Sequence, residues 1–391
     1  MKDKILLVLT PDYPSEYDHF NGCNALKNQI KYSKDMFKKV IVIAPVLISL
    51  GVTEQDRFCK NYTYDNVEVY FPRCLFFPRS IKVPYVSNYM KVSVDWRLRS
   101  TLRTISKYNL SFDLIHARFT YPSAYIASEL KKQYNVPVIT SIHEDSGWFE
   151  EERDMNHPRF LTAWKSADIL TRENTTELKI LKHYNNNVEK VTAGFDSLIY
   201  YPQNKQLCRI ILGLNQEDTI LFTFGFLDER KGFQDLIRAV SQLPDKYCNV
   251  KCYISGSGSY KQKLEGLIKQ YKLEKNIFII KRIDDKHISS WINASDLFIF
   301  PSLRESFGIT QTEALGCGLP VIASDNVGSI DIINSDCGYI YNVGDASDLS
   351  LKIVNGIERE WDKERIVKYA KATYSWEVVS KQYDRLYEEL L

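Results

Sequence analysis

The chain has 391 residues, too many for one ordinary core, so two domains are the natural expectation. A net charge of only +2 argues against wholesale nucleic-acid binding and leaves room for a local basic face. No stretch approaches the ~20 apolar residues of a membrane span, and the apolar run in the opening MKDKILLVLT is too short for a signal peptide. Eight scattered cysteines without a CxxC pair read as reduced thiols of a cytosolic protein.

In chain order, short apolar runs alternate with helical segments. ILLVL (5–9) is the first expected strand, and a helix over 24–39 follows with Leu26, Ile30, Phe37 and Val40 on one stripe. VIVIA (40–44), LIHA (114–117), VPVITSIH (136–143) and DIL (168–170) continue the strand series. The stretch 194–216 breaks the rhythm and reads as a linker. Strands then resume with ILFTFGF (220–226), VKCYISGSG (250–258), NIFII (276–280), DLFIFPS (296–302) and PVIAS (320–324). TYSWEVVSKQYDRLYEEL (373–390) closes the chain as a helix with Trp376, Val379, Tyr383 and Leu386 on one side. Strands that are apolar throughout, rather than alternating, imply a parallel sheet buried on both faces. Repeated βα units therefore predict an α/β protein with two doubly wound, Rossmann-like halves, with ligands at the carboxyl ends of the strands.

RESFGITQTEALGCGLPVIASD (304–325) sets Glu305 and Glu313 around Gly308, where a helix is expected to begin. A helix start offers unpaired N–H groups and a positive dipole end, which together favour an anion. The two carboxylates either cap that helix or grip hydroxyls on both sides of a bound phosphate. A glycosidase pair is a further reading, but it needs carboxylates on opposite sides of a glycosidic bond.

The second half of the chain resembles the family 4 glycosyltransferases, a retaining class with the two-domain GT-B fold. The resemblance is carried by FGFLDERKGFQDLIRA (224–239), YISGSGSYKQKLEGL (253–267), ASDLFIFPSLRESFGITQTEALGCGLPVIASD (294–325) and the Trp376 helix. Looser similarity runs through DLIHARFTYPSAYIASELKKQYNVPVITSIHED (113–145) and VTAGFDSLIYYP (191–202). It implies two domains facing each other across a cleft. The first, residues 1–200 with a returning C-terminal helix 373–391, binds the acceptor, and the second, 205–372, binds a nucleotide-sugar.

The resemblance implies that Glu305 contacts the transferred sugar, Glu313 the ribose hydroxyls, and the amides from Phe307 through Gly308 and Ile309 to Thr310 the diphosphate. Residue chemistry agrees, since an ionised carboxylate accepts paired hydrogen bonds from a diol. Lys231, in ERKG, stands where the family keeps a lysine against the diphosphate, stabilising charge on the leaving nucleotide. The arginine usual after the strand-end glycine is replaced by Phe226, and Arg230 is the near candidate to substitute. Gly256 and Gly258 suit a tight turn under the nucleotide, and Arg282 a contact to the base. His143, at a strand's carboxyl end, matches the family's active-site histidine, while His116 fits a core histidine better. In the loop DYPSEYDHFNGCN, Asn21 and Gly22 occupy the place of the family's phosphate-approaching glycine pair.

No metal site and no cofactor are expected, because lysine and backbone amides would meet the phosphate charge. Acceptor contacts are assigned to the first half, and a lipid-linked or saccharide acceptor is expected. Lys27, Lys31, Lys34 and Lys38 lie beside the first helix's apolar stripe. Residues 69–110 carry Arg73, Arg79, Lys82, Lys91, Arg97, Arg99, Arg103 and Lys107 against the single acid Asp95, interleaved with aromatic side chains. This pattern suggests peripheral contact with an anionic membrane, at the inner face of the cytoplasmic membrane; no nucleic-acid motif accompanies the charge. The resulting reading is a hexosyltransferase of polysaccharide, lipopolysaccharide or glycolipid synthesis. A non-catalytic GT-B partner and a nucleotide-sugar epimerase are the alternatives.

Overall fold

The computed structural model describes residues 1–20, 22–48, 53–75 and 89–391; Asn21, Arg79 and Lys82 lie outside these. The chain divides into two compact units, Met1–Glu144 with Trp148–Val191 and Val379–Leu391, and Asp145–Gly147 with Thr192–Val378.

The first unit is built on an eight-stranded sheet in the order Val188–Lys190, Ile169–Arg172, Val138–Ile142, Leu114–Arg118, Ile5–Leu9, Lys39–Ile43, Val67–Tyr70, Tyr62–Tyr64. Only the pairing of Tyr62–Tyr64 with Val67–Tyr70 is antiparallel. The second unit carries six parallel strands in the order Ile277–Ile280, Val250–Ser255, Thr219–Phe224, Leu297–Phe300, Val321–Ser324, Gly338–Tyr341. Central strands such as Leu114–Arg118, Val138–Ile142, Leu297–Phe300 and Val321–Ser324 are buried at every residue, as helices on both faces of a parallel sheet require. Both sheets change direction of winding at an internal strand, so the carboxyl ends beside that strand form a crevice.

Three expectations need correction. The first helix runs Asn24–Ser33 and gives way to a single 3-10 turn, Lys34–Met36, so Phe37 leaves the helix and Val40 belongs to the next strand. The supposed linker 194–216 contains the helix Lys205–Leu212, capped by the Asn204 side chain on the Leu207 amide at 2.8 Å and closed by Gly213. Arg209 anchors that helix by bonding the Ala294 carbonyl and Asp296. The closing segment is two helices, Lys363–Tyr374 and Trp376–Leu390, broken at Ser375, which bridges to Phe195. Trp376, Val379, Tyr383 and Leu386 are all buried, so the apolar stripe is correctly read although the helix start is not.

Strands Tyr62–Tyr64, Val67–Tyr70, Val188–Lys190 and Gly338–Tyr341 escape the sequence pattern. They lie at or next to sheet edges and mix polar with apolar residues, so they lack the continuous apolar signature.

Candidate active site

In the second unit a cavity of about 270 Å³ opens where three strands end. Phe224, Gly225 and Phe226 come from the end of Thr219–Phe224, and Ser255, Gly256 and Ser257 from the end of Val250–Ser255. Lys231, Arg282, Ile283, Ile288 and Thr310 complete the lining. Four residues expected at a donor site from sequence, Lys231, Gly256, Arg282 and Thr310, therefore meet in one cavity. Ser257, Ile283 and Ile288 were missed, although Ser257 lies inside the quoted ISGSGS motif.

The glycine requirement at 256 comes from the chain itself. A Cβ there would stand 2.0 Å from the Gly225 carbonyl oxygen, so two strand-end loops are packed backbone to backbone. The expectation that Gly256 exists to admit a ligand thus has a simpler cause, close approach of protein to protein.

The helix Ile309–Gly316 begins at Gly308, whose φ of +83° is the left-handed region that favours glycine. A Cβ at Gly308 would also meet the Phe300 ring at 2.6 Å. No side chain caps this helix start, and while the Gln311 amide donates to the Gly308 carbonyl at 3.0 Å, the Ile309 and Thr310 amides remain available to an anion. Thr310 adds a buried Oγ1 that has no hydrogen-bond partner. Phe307 sends its side chain into the core against Tyr374, and Ile309 packs on the same cluster, so these two can serve a ligand only through their backbone.

Lys231 donates from Nζ to Glu305 Oε2 at 2.7 Å, and the Ser302 hydroxyl approaches the same oxygen at 3.3 Å. Arg230 lies 3.8 Å from Glu305 and pairs at 2.7 Å with Asp145, which clusters with this unit. Its guanidinium thus sits beside the Lys231–Glu305 pair, while Phe226, 65% exposed, takes the position where an arginine was expected. Arg282 carries no ion pair among the described residues and faces the cavity. Glu313 sits within the Ile309–Gly316 helix, partly buried. Among the described residues no three His, Cys, Asp or Glu side chains gather into a group that could hold a metal ion.

The remaining candidates lie in the first unit. The His143 side chain is only 8% exposed, with Nδ1 bonded to Glu173 Oε1 at 2.8 Å and a buried Nε2 without a partner. Burial, then the Arg118 charge, lowers its pKa to about 4 against the opposing pull of Glu173, so the imidazole is neutral at pH 7. Burial pushes Glu173 up, but His143, Arg172 and Arg118 outweigh it and hold the carboxyl below its usual range. Nothing in the sequence spacing pointed to Glu173, which arrives from the end of the neighbouring strand. His116 is the core histidine expected, bonded to Tyr387 at 2.8 Å and Ser141 at 2.7 Å. Gly22 packs against the backbone of Tyr13.

The two α/β units have the architecture of GT-B glycosyltransferases. Residues 204–373 match the family described as Glycosyl transferases group 1. Across most of the chain the protein is similar to N-acetyl-alpha-D-glucosaminyl L-malate synthase of Bacillus anthracis, 22% identical over 347 residues, covering 85% of this chain and 87% of that one. The sucrose-phosphate synthase of Thermosynechococcus elongatus shares its fold, with a TM-score of 0.78, 18% identity and 99% of both chains covered. So does Anabaena HepE, crystallised with UDP-glucose, with a TM-score of 0.72, 17% identity, and 99% of this chain and 100% of that one covered.

Proposed function

We propose that this protein transfers a hexosyl group from a nucleoside diphosphate sugar to a hydroxyl acceptor with retention of anomeric configuration. The observation that carries the reading is the meeting of Lys231, Arg282 and Thr310, on a helix whose start no side chain caps, in one cavity of the family-matching unit. The solved HepE complex with UDP-glucose supports a donor of this class. In the proposed reaction the acceptor oxygen bonds to the anomeric carbon as the bond from that carbon to the β-phosphate oxygen breaks. The electron pair leaves with the diphosphate, and the acceptor's proton passes to the departing phosphate oxygen.

Lys231, the amides of Ile309 and Thr310, and Arg230 stabilise that growing charge. Glu305 then turns from Lys231 to the sugar hydroxyls, Glu313 holds the ribose and Arg282 the base. No metal or cofactor has a step in this scheme. Incubation with a panel of nucleotide-sugars, with and without membrane extract, tests the reading. Nucleotide release that depends on the extract is the expected result. No release under any condition favours a non-catalytic partner, the reading that Phe226 supports, and a changed but still attached sugar marks an epimerase.

We further propose that the protein works on a lipid-linked or saccharide acceptor of polysaccharide, lipopolysaccharide or glycolipid synthesis, at the cytoplasmic face of a membrane. Helix Tyr89–Lys107 presents exposed Arg99 and Arg103, whereas Arg73 is engaged with the carbonyls of Asp56 and Cys59, and Asp95 with Arg159. No helix among the described residues is long and apolar enough to cross a membrane, so attachment would be peripheral. Salt-sensitive flotation with anionic liposomes is the expected result, and flotation that ignores lipid charge and salt refutes the contact.

A further inference from the structure

The first unit contains a second cavity, about 580 Å³, which none of the donor-site residues enters. Among the described residues its walls combine four carboxyl groups, Asp12, Glu144, Glu151 and Glu152, with one guanidinium, Arg97. Aromatic faces line it as well: Trp148, 64% exposed, stands at the helix Ser146–Met155, and Phe119 and Tyr121 lie after the strand Leu114–Arg118.

Two of the carboxyls are unfinished. Glu144 is only 3% exposed, and one oxygen is used by the Thr120 amide while Oε2 has no partner. Glu152 also buries an Oε2 without a partner. An unpaired buried carboxyl oxygen is costly unless something completes it. Burial, reinforced by the Glu144 charge, pushes Glu152 up to about 9, so it holds a proton at pH 7 and can donate as well as accept. Burial also raises Glu144, against the lowering effect of Arg172. Trp164 donates to the Thr120 hydroxyl at 3.0 Å and Arg172 to the Glu144 carbonyl at 2.8 Å, so this wall is braced from behind.

Two carboxyls with unused oxygens, one of them able to donate, match vicinal hydroxyls, each of which both donates and accepts. An exposed indole beside it offers an apolar face to the C–H side of a sugar ring. Among the described residues the carboxyls of this wall outnumber its one guanidinium, which disfavours a phosphate or carboxylate. We propose that this cavity is the acceptor site and takes an uncharged saccharide, stacked on Trp148 and hydrogen-bonded to Glu144 and Glu152, while rejecting phosphorylated acceptors. The proposal deepens the transferase reading above and rests on it for the word acceptor.

The test uses the full chain and saturation-transfer NMR with maltose, cellobiose and lactose against glucose 6-phosphate and inositol 1-phosphate. Saturation should reach at least one neutral disaccharide and neither phosphate. Trp148→Ala should weaken disaccharide binding about tenfold, Glu144→Gln should weaken it similarly, and Glu151→Lys should admit the phosphates. Octyl maltoside below its micellar concentration separates two sources of the same chemistry. Binding tighter than maltose marks a lipid-linked saccharide, and equal binding a free one; either supports the site. Phosphates bound as well as the disaccharides, no disaccharide bound, or a Trp148→Ala chain that binds unchanged overturns it. Nucleotide release is read separately. Saccharide binding lost in Trp148→Ala without any donor consumption would remove the transferase reading and leave the site, whereas turnover that prefers phosphorylated acceptors would do the reverse.

Discussion

Around the strand ends of the second unit, polar groups are left uncommitted: exposed Arg282 and the buried Thr310 hydroxyl have no partners among the described residues, and Lys231 has one, Glu305. At the strand ends of the first unit the same kinds of groups are spent on each other. Arg172 is fully buried and bonds Glu177 and the carbonyls of Ile142 and Glu144, while His116 bonds Tyr387 and Ser141. His143 is half-committed, with one nitrogen on Glu173 and the other buried without a partner. The contrast teaches that residue type at a strand end does not set reactivity. The second unit keeps Lys231 and Arg282 partly solvated, whereas burial in the first fixes the protonation state of groups such as His143 before any ligand arrives.

The sharpest way to break this contrast is to remove the charged pair. Glu305→Ala should lower turnover by more than about 10³-fold and Lys231→Ala by about 10²–10³-fold, both with thermal unfolding little changed, since each side chain keeps some solvent access. Near-normal turnover in Glu305→Ala would refute its role. Gly256→Ala probes the scaffold beneath that pair. Its Cβ would collide with the Gly225 carbonyl, so a loss of about 3 kcal/mol or more in denaturant unfolding is expected, with donor binding lost alongside.

The first unit's preset protonation shows in pH dependence. His143, held near 4 when folded and 6.5 when free, lets the unfolded chain bind the extra proton between those values. Stability from this group therefore falls as pH drops from about 6.5 towards 4, by roughly 3 kcal/mol in total. An imidazole titrating by NMR near 6.5 in the folded protein would contradict the burial argument. The smallest effect is expected from restoring the missing cation: Phe226→Arg should tighten nucleoside diphosphate binding about tenfold by calorimetry. Unchanged binding would mean that Arg230 already fills that role.

Much of this could be read from the chain alone where the signal is local. Continuous apolar runs place the central strands, and Gly308 marks its helix start within one residue. Lys231, Gly256, Arg282 and Thr310 were each named from motif position, and all four line the same cavity. The helix Lys205–Leu212 carries a helical apolar pattern at Leu207, Ile210 and Ile211 and was overlooked because the stretch interrupts the strand–helix alternation; in the structure these three side chains are exposed. Glu173 was missed because its partner, His143, lies thirty positions away on an adjacent strand. The saccharide cavity could not be anticipated either, since Asp12, Arg97 and Glu152 share no motif and come from three separate stretches.

The sequence by itself determined the two parallel sheets, the anion-ready helix start and the cation before helix Phe233–Val240, because periodicity, glycine and charge act over a few residues. Tertiary structure alone decided which histidine is neutral, which arginine is committed and where unpaired carboxyls meet. Those properties depend on burial and on distances between strands far apart in the chain, and no local pattern encodes either.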